Sequence, residues 1–206
     1  MYNTIIFDVD GTLIDTEKAV LGSLQKMLKE DYGKHVPPEE LTFVLGIPGS
    51  RSLPKLGIQD IDQANGRWNQ YMNDFFHEIK VFDGMKELLE TLKSLELVQG
   101  IVTSKTNEEL ISDFEPFGLS GYMTYTVCAD DTVKHKPNPE PLLKFLEVSG
   151  ADPETSIYIG DTVYDYECAR DAGIDFGLAV WGCRQPERIS AKHRFKKPQD
   201  LIRLLG

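Results

Sequence analysis

The chain has 206 residues, 41% of them hydrophobic, and a formal net charge of −11. This length allows one good-sized core, or a core with a modest inserted lobe, while the acidic balance argues against binding to nucleic acid or an anionic membrane. No apolar run approaches the roughly 18 residues of a membrane span and no signal-like segment precedes the first apolar run, so we expect a cytoplasmic protein. Three widely spaced cysteines predict free thiols. The oligomeric state is left open by these quantities.

The first predicted element is the apolar run Ile5-Ile6-Phe7, which is typical of a strand buried on both faces of a parallel sheet. Asp8 and Asp10 follow at its end. Side chains two apart on an extended segment point the same way, so both carboxylates can face the edge where open α/β sheets bind ligands. Carboxylates this close repel each other unless a cation or a shared proton relieves them, and Mg²⁺ suits hard oxygen ligands. The pattern therefore predicts a magnesium site, with a polar turn as the alternative.

Residues 16–79, called the insert below, are helical in pattern. The predicted elements are an amphipathic helix over 16–32, a short helical stretch over 39–45 and a longer helix from about Asp60 to Lys80. A loop from Gly46 to Ser52 separates the second from the third. Within this loop, Arg51 is the residue able to hold an anionic leaving group by a bidentate contact. An ordinary surface loop is the competing interpretation.

After the insert, helices and short apolar strands alternate. The predicted helices are 84–95, 107–115, 139–148, 164–172 and 198–205, and the predicted strands are 98–103, 124–128, 156–160 and 176–181. Helices that join short apolar strands imply right-handed crossovers and a parallel sheet with helices on both faces. The fold class is therefore α/β, a doubly wound parallel-sheet core of residues 1–15 and 80–206, interrupted by the α-helical insert 16–79.

Two segments after the insert carry groups suited to phosphate, the first of them at the end of the predicted strand 98–103. Thr103 offers a hydroxyl, and the backbone amides that follow it, beginning with Ser104, can bind a phosphate oxygen at a strand-to-helix turn. A plain helix cap is the alternative there. Farther along, Pro137 fixes the backbone beside Lys136, and a rigidly held ammonium could neutralise an attacking carboxylate and a phosphate oxygen together. A solvated surface lysine is the alternative for Lys136.

Two more acids follow the strand 156–160. Asp161 falls at the same sheet edge as Asp8, which makes it a candidate metal ligand. Asp165, one helical turn later, can face the same point or hold a metal-bound water. Because a helix N-terminus also favours acids, complementation of the helix dipole is the alternative for Asp165.

These elements resemble the four motifs of the haloacid dehalogenase superfamily, in the family's order and over almost the whole chain. The matching segments are Asp8-x-Asp10-Gly11-Thr12, Thr103-Ser104, Lys136-Pro137 and Gly160-Asp161 through Asp165. The insert resembles the small helical cap of the subgroup that contains phosphoglycolate phosphatases and β-phosphoglucomutases, and loop 46–52 resembles its substrate-closing loop. Trp181-Gly182 is similar to the phosphoglycolate phosphatase branch.

The resemblance implies a role for each matched residue. Asp8 would be the nucleophile that forms an aspartyl-phosphate, and Asp10 the general acid and then the base for water. Mg²⁺ would be held by Asp8, by the backbone carbonyl of Asp10 and by Asp161, with Asp165 assisting. Thr103 and Lys136 would hold the phosphoryl oxygens, and the remaining substrate contacts would come from Ser104, Gly46 and Arg51.

Two positions indicate which of the family's reactions to expect. Asp10 argues against haloacid dehalogenases and phosphonatases, which lack this acid, and Val20 stands where the sugar-phosphate mutases carry a histidine. We therefore expect a magnesium-dependent phosphatase for a small phosphorylated metabolite such as phosphoglycolate. A pyrophosphatase, a sugar-phosphate mutase and a non-catalytic binding protein of the same fold are the alternatives.

Overall fold

The computed structural model describes residues 1–204 and centres on a parallel sheet. Its strands are β1 (Thr4–Phe7), β2 (Ile14–Asp15), β3 (Lys80–Val81), β4 (Val98–Val102), β5 (Tyr125–Val127), β6 (Ser156–Gly160), β7 (Asp175–Ala179) and β8 (His193–Phe195). Six of them form the sheet, in the order β5-β4-β1-β6-β7-β8, and every neighbouring pair is parallel. This confirms the predicted parallel sheet and places β1 at its centre.

Helices cover both faces of this sheet. They are α5 (Met85–Ser94), α6 (Asn107–Asp113), α7 (Glu140–Ser149) and α8 (Val163–Ala172), and a 3₁₀ helix follows at Pro198–Leu204. The alternation of side chains along β1 shows the two layers, because Ile5 and Phe7 pack in the core that contains Leu88 of α5, whereas Ile6 packs with Phe145 of α7. The doubly wound α/β architecture is thus present as predicted.

The insert consists of helices α1 (Glu17–Tyr32), α2 (Pro38–Leu41), α3 (Gly49–Ser52) and α4 (Ile61–Phe75). α1 and α4 pack together, and the indole nitrogen of Trp68 donates to the Ser23 hydroxyl at 2.9 Å between them. The segments that flank the insert pair in an antiparallel ribbon, in which Ile14 of β2 pairs with Val81 of β3. The two crossings between insert and sheet therefore lie side by side.

Several predicted boundaries were wrong. The predicted loop 46–52 contains helix α3, and the predicted helical stretch 39–45 is divided into α2 and a 3₁₀ turn at Thr42–Val44. The predicted helix 60–80 ends at Phe75 and continues as a 3₁₀ turn, and the predicted helix 107–115 ends at Asp113. The closing helix is of the 3₁₀ type, and its predicted last residue, 205, lies outside the described residues. β2, β3 and β8 were not predicted. No helix within residues 1–204 is long and apolar enough to cross a lipid bilayer.

Candidate active site

The site lies at the carboxyl edge of the central strands. Asp8 follows β1 directly, and its backbone N–H donates to the Ile159 carbonyl of β6 at 2.9 Å, so the sheet itself fixes this residue. Asp161 follows β6, which is the neighbour of β1. The parallel register thus brings the two carboxylates to one point, as the sequence predicts.

The turn after Asp8 is packed against this point. Gly11 has φ of 76°, and a Cβ there would lie 2.4 Å from the Asp161 carboxylate, so the close approach requires glycine. Gly182 meets the same turn from the other side, because a Cβ on it would lie 1.8 Å from the Gly11 carbonyl oxygen. The indole nitrogen of Trp181 donates to the Thr12 carbonyl at 3.0 Å. The pair Trp181-Gly182 therefore holds the first motif in place.

Lys136 connects the carboxylates. Only 1% of its side chain is exposed, and its Nζ lies 2.9 Å from Asp8 Oδ1, 2.7 Å from Asp165 Oδ1 and 3.0 Å from the Tyr158 hydroxyl. These three partners match the three donors of an ammonium. Burial alone would lower the pKa of Lys136, but the carboxylates of Asp165 and Asp8 outweigh it and raise the pKa above its usual value. Lys136 is therefore a fixed, buried cation and not a solvated surface lysine.

Tyr158 is a residue of this network that the sequence analysis missed. Its hydroxyl accepts from Lys136 and donates to the Val102 carbonyl at 2.8 Å, so it ties the lysine to β4. The available signal was its position within a strand buried on both faces, because a buried tyrosine hydroxyl needs a hydrogen-bond partner.

Three carboxylates gather beside this ammonium. One oxygen each of Asp8, Asp161 and Asp165 lie within 4.8 Å of one another. Burial, opposed by the Lys136 charge, raises the pKa of Asp8 from 3.8 to about 7, and burial together with Asp165 and Asp8 raises the pKa of Asp161 well above its usual value. The buried Asp8 and Asp165 and the half-buried Asp161 face one buried ammonium, which leaves an excess of negative charge. This donor set of hard oxygens fits a divalent cation such as Mg²⁺.

Asp165 also caps α8. Its Oδ2 accepts from the Thr162 N–H at 3.0 Å and from the Thr162 hydroxyl at 2.6 Å, while its Oδ1 accepts from Lys136. The same side chain therefore completes the helix cap and reaches the carboxylate cluster, while its part in metal binding stays a prediction.

Asp10 lies apart from the three clustered carboxylates. Its Oδ1 accepts from the Thr16 hydroxyl at 2.7 Å and lies 3.3 Å from the Lys105 ammonium, which in turn pairs with Asp113 at 2.7 Å. Burial lowers the pKa of Lys105, but Asp10 and Asp113 more than offset this, so the net shift is upward. Lys105 was given no role in the sequence analysis, although it follows the second motif directly.

The residues predicted to contact substrate are divided between two places. Thr103 is buried at the end of β4, and its hydroxyl oxygen accepts from the Lys105 N–H at 3.2 Å, which leaves its own O–H free to donate. The Ser104 hydroxyl donates to the Gly46 carbonyl of the insert at 3.1 Å. Arg51 lies against a second, smaller cavity with His135, and its Nη1 donates to the Lys136 carbonyl at 2.8 Å. The predicted position of Arg51 over the leaving group is not the one that the structure shows.

A cavity of about 870 Å³ opens between the sheet edge and the insert. Asp8, Asp10 and Asp161 line its sheet side, and Val20 and Trp68 line its insert side. This is the size of a small-molecule site, and its mixture of apolar walls with a few convergent charges is typical of one.

The chain is similar to known proteins over almost its whole length. The sequence profile of the haloacid dehalogenase-like hydrolase family matches residues 5–179. The phosphoglycolate phosphatase of Aquifex aeolicus is 31% identical over 204 residues, which cover 98% of this chain and 95% of that protein. Pyrophosphatase PpaX of Halalkalibacterium halodurans is 27% identical over 209 residues, with 99% and 97% covered. A crystal structure from Lactobacillus plantarum, of a protein with phosphoglycolate phosphatase as its proposed identity, has a TM-score of 0.91 at 35% identity and 99% coverage of both chains.

Proposed function

Because the chain belongs to the haloacid dehalogenase-like hydrolase family and is a phosphatase, we propose that it hydrolyses a small phosphomonoester, with Mg²⁺, through an aspartyl-phosphate on Asp8. The observation that carries the proposal is the Lys136 ammonium, 2.9 Å from the Asp8 carboxylate beside the cavity. A carboxylate can attack an anionic phosphate only where cations offset their repulsion. Lys136 supplies one such cation at the attacking group.

The first step forms the intermediate. An oxygen of Asp8 bonds to phosphorus while the bond from phosphorus to the leaving oxygen breaks, and Asp10 gives its proton to that oxygen. Thr103 and Lys136 hold the phosphoryl oxygens during the transfer. The free O–H of Thr103 supports the first assignment. The positive charge of Lys136 beside Asp8 supports the second, although its three donors face Asp8, Asp165 and Tyr158 before substrate arrives.

The second step releases phosphate. Asp10, now ionised, takes a proton from water, the water oxygen bonds to phosphorus, and the bond between phosphorus and Asp8 breaks. Asp10 gives a proton in the first step and takes one in the second, so its carboxyl group has to reach the cavity. The Asp10 side chain is 25% exposed and lines the cavity, which supports this role.

Mg²⁺ would be held by the carboxylates of Asp8 and Asp161 and by the backbone carbonyl of Asp10, with Asp165 assisting. When bound, it would supply positive charge against the phosphate and the attacking carboxylate. The buried excess of negative charge at the cluster supports this assignment.

We propose that the insert, residues 16–79, is a cap over a core of residues 1–15 and 80–206, and that the cap selects the leaving group. Phosphoglycolate or a similar small phosphomonoester is the proposed substrate. Pyrophosphate is the second candidate, favoured by the pyrophosphatase relatives. Against a mutase stands Val20, an aliphatic side chain on the cavity wall.

The test is a panel of phosphorylated compounds assayed with and without Mg²⁺ and ranked by kcat/KM. The panel contains phosphoglycolate, alkyl phosphates, sugar phosphates and pyrophosphate. For each compound, net phosphate release and, for the sugars, transfer of phosphate between positions are measured. Asp8→Asn keeps the shape of the nucleophile but removes its charge, and Asp74→Asn, in an exposed ion pair with Lys26, is the matched control.

We expect magnesium-dependent phosphate release that is abolished by Asp8→Asn and unchanged by Asp74→Asn. Phosphate release that survives Asp8→Asn would contradict the mechanism. Preference for pyrophosphate would select the second candidate, and phosphate transfer within a sugar without net release would replace the hydrolase by a mutase.

A further inference from the structure

The carboxylate of Asp10 is held through one oxygen. The Thr16 hydroxyl and the Lys105 ammonium both contact Oδ1, at 2.7 and 3.3 Å. Among residues 1–204, Oδ2 accepts no hydrogen bond from the protein, although the side chain lines the cavity. The two oxygens of one carboxylate are therefore in different situations, one fixed and one free.

Resting on the function proposed above, we propose that Lys105 is a positioning residue, which holds Asp10 so that its free oxygen delivers the proton to the leaving group. The Thr16 hydroxyl, at the start of the insert, gives Asp10 a neutral hydrogen bond. The Lys105 ammonium, at the sheet edge, gives it a charged contact, and charge-assisted hydrogen bonds are stronger than neutral ones.

Lys105 is itself fixed on every side. Its backbone N–H donates to the Thr103 hydroxyl at 3.2 Å, and its carbonyl accepts from the Ala129 N–H at 2.7 Å. Its ammonium pairs with Asp113 Oδ2 at 2.7 Å, and Asp113 Oδ1 is held by the Ser112 hydroxyl at 2.8 Å. The two side chains of the pair are 8% and 9% exposed. An ammonium held this firmly can fix the position of the carboxylate beside it.

The local charge argues against two other roles. Lys105 faces the acids Asp10, Asp113 and Glu109, and one cation among three acids does not attract an anionic leaving group. A purely structural ion pair with Asp113 would not need the second contact to Asp10, which lies across the cavity edge on the first motif. Positioning of Asp10 accounts for both contacts.

This role predicts a dependence on the leaving group. In the first step the proton of Asp10 passes to the leaving oxygen as its bond to phosphorus breaks, so a strongly basic alkoxide needs the proton, whereas p-nitrophenolate departs without it. The quantity to compare is kcat/KM, because it covers the steps up to the transfer of the phosphoryl group. A general fault in folding or in phosphate binding would lower kcat/KM by the same factor for both kinds of substrate.

The experiment measures kcat/KM for a series of alkyl phosphates and for p-nitrophenyl phosphate. For Lys105→Met we expect a loss of roughly 30-fold on the alkyl esters, as part of the 10²- to 10⁴-fold that general acid catalysis supplies. We expect a loss below about threefold on p-nitrophenyl phosphate, where no proton is required. Lys144→Met, in an exposed ion pair with Glu147, is the control and leaves both values unchanged.

Equal losses on both substrates, or no loss on either, would overturn the role of Lys105. Because Lys105→Met leaves Asp113 buried without its partner, the double variant Lys105→Met/Asp113→Asn removes the pair together and is expected to show the same selective loss. A wild-type protein that cleaves none of these esters overturns the proposed function and this inference with it. A wild-type protein that cleaves them while the variants show no selectivity overturns the inference alone.

Discussion

The sheet edge and the insert contribute to the same cavity in different ways. At the sheet edge, Lys136 makes three contacts to buried groups, and each carboxylate of the cluster sits on or beside a central strand. The insert reaches this edge through single hydrogen bonds, such as those of Gly46 and Arg51. Groups that many contacts hold in place can carry out the phosphoryl transfer that all substrates have in common. A surface that few contacts hold in place can adapt to different leaving groups.

The largest effect expected from this comparison is at Lys136. Lys136→Met should lower kcat/KM about 10³-fold for every substrate, since it removes the cation at the attacking carboxylate. Lys136→Arg should not restore activity, because a planar guanidinium cannot occupy a pocket shaped for three contacts to one nitrogen. Steady-state kinetics on the substrate panel measure both. A loss confined to one substrate class would place Lys136 on the leaving-group side and contradict this division of roles between the sheet edge and the insert.

The next effect concerns the metal. Asp161→Asn should raise the Mg²⁺ concentration needed for half-maximal activity by at least about tenfold, because a proposed ligand loses its charge. Titration of a chelator-treated protein with MgCl₂ measures this shift. Asp165→Asn is expected to give a smaller shift together with some loss of stability, since this residue also caps α8. An unchanged magnesium requirement in Asp161→Asn would remove Asp161 from the ligand set.

Arg51 distinguishes two roles for the insert. Arg51→Ala should lower kcat/KM only about 3- to 10-fold, consistent with the loss of one charged hydrogen bond to the Lys136 carbonyl. If Arg51 acts as a contact between insert and core, its loss should affect phosphoglycolate and an alkyl phosphate with an uncharged leaving group equally. The comparison of these two substrates is the measurement. A loss seen with phosphoglycolate alone would restore the clamp on an anionic leaving group that the sequence suggested.

The smallest effect is one of stability. Asp8 has a pKa near 7 in the folded protein and 3.8 as its ordinary value, so the folded state holds a proton that the unfolded state releases. Stability of the metal-free wild type should therefore fall as the pH rises from about 4 to 7. Asp8→Asn avoids this loss and should be more stable at pH 7.5 in EDTA by ~1 kcal/mol, or ~2–4 °C in Tm.

Thermal unfolding at several pH values checks this prediction. The advantage of Asp8→Asn should shrink toward pH 4, where the wild-type carboxyl is protonated in both states. If Asp8→Asn were less stable than the wild type at pH 7.5, the buried carboxylate would be stabilising, and the site would not carry an excess of negative charge.

The predictable parts of the fold follow from two general rules, the burial of apolar strands and the common edge of parallel strands. An apolar run such as Ile5-Ile6-Phe7 has to be buried on both faces, and parallel strands bring their carboxyl ends to one edge, so the motif residues could be placed without coordinates. β8 escaped prediction because its middle residue, Arg194, is exposed and the strand is only three residues long. Short polar edge strands carry no periodic signal.

The contacts that were missed depend on tertiary docking. Lys105 follows Ser104 as an ordinary polar residue in sequence, and only the packing of α6 brings Asp113 to it. Likewise, the direction of the Arg51 side chain depends on how the insert sits on the sheet. Sequence patterns specify which face of an element is buried, but they do not specify which partner a long charged side chain will find.

The proposed mechanism depends above all on the phosphorylation of Asp8 during turnover. The direct measurement is acid quenching of the working enzyme with Mg²⁺ and its preferred phosphomonoester, followed by mass spectrometry of the peptide that contains residue 8. We expect one added phosphoryl group on Asp8, which appears within the first turnover and is absent from Asp8→Asn. Turnover without any phosphorylated Asp8, or a phosphoryl group found on another residue, would contradict the mechanism.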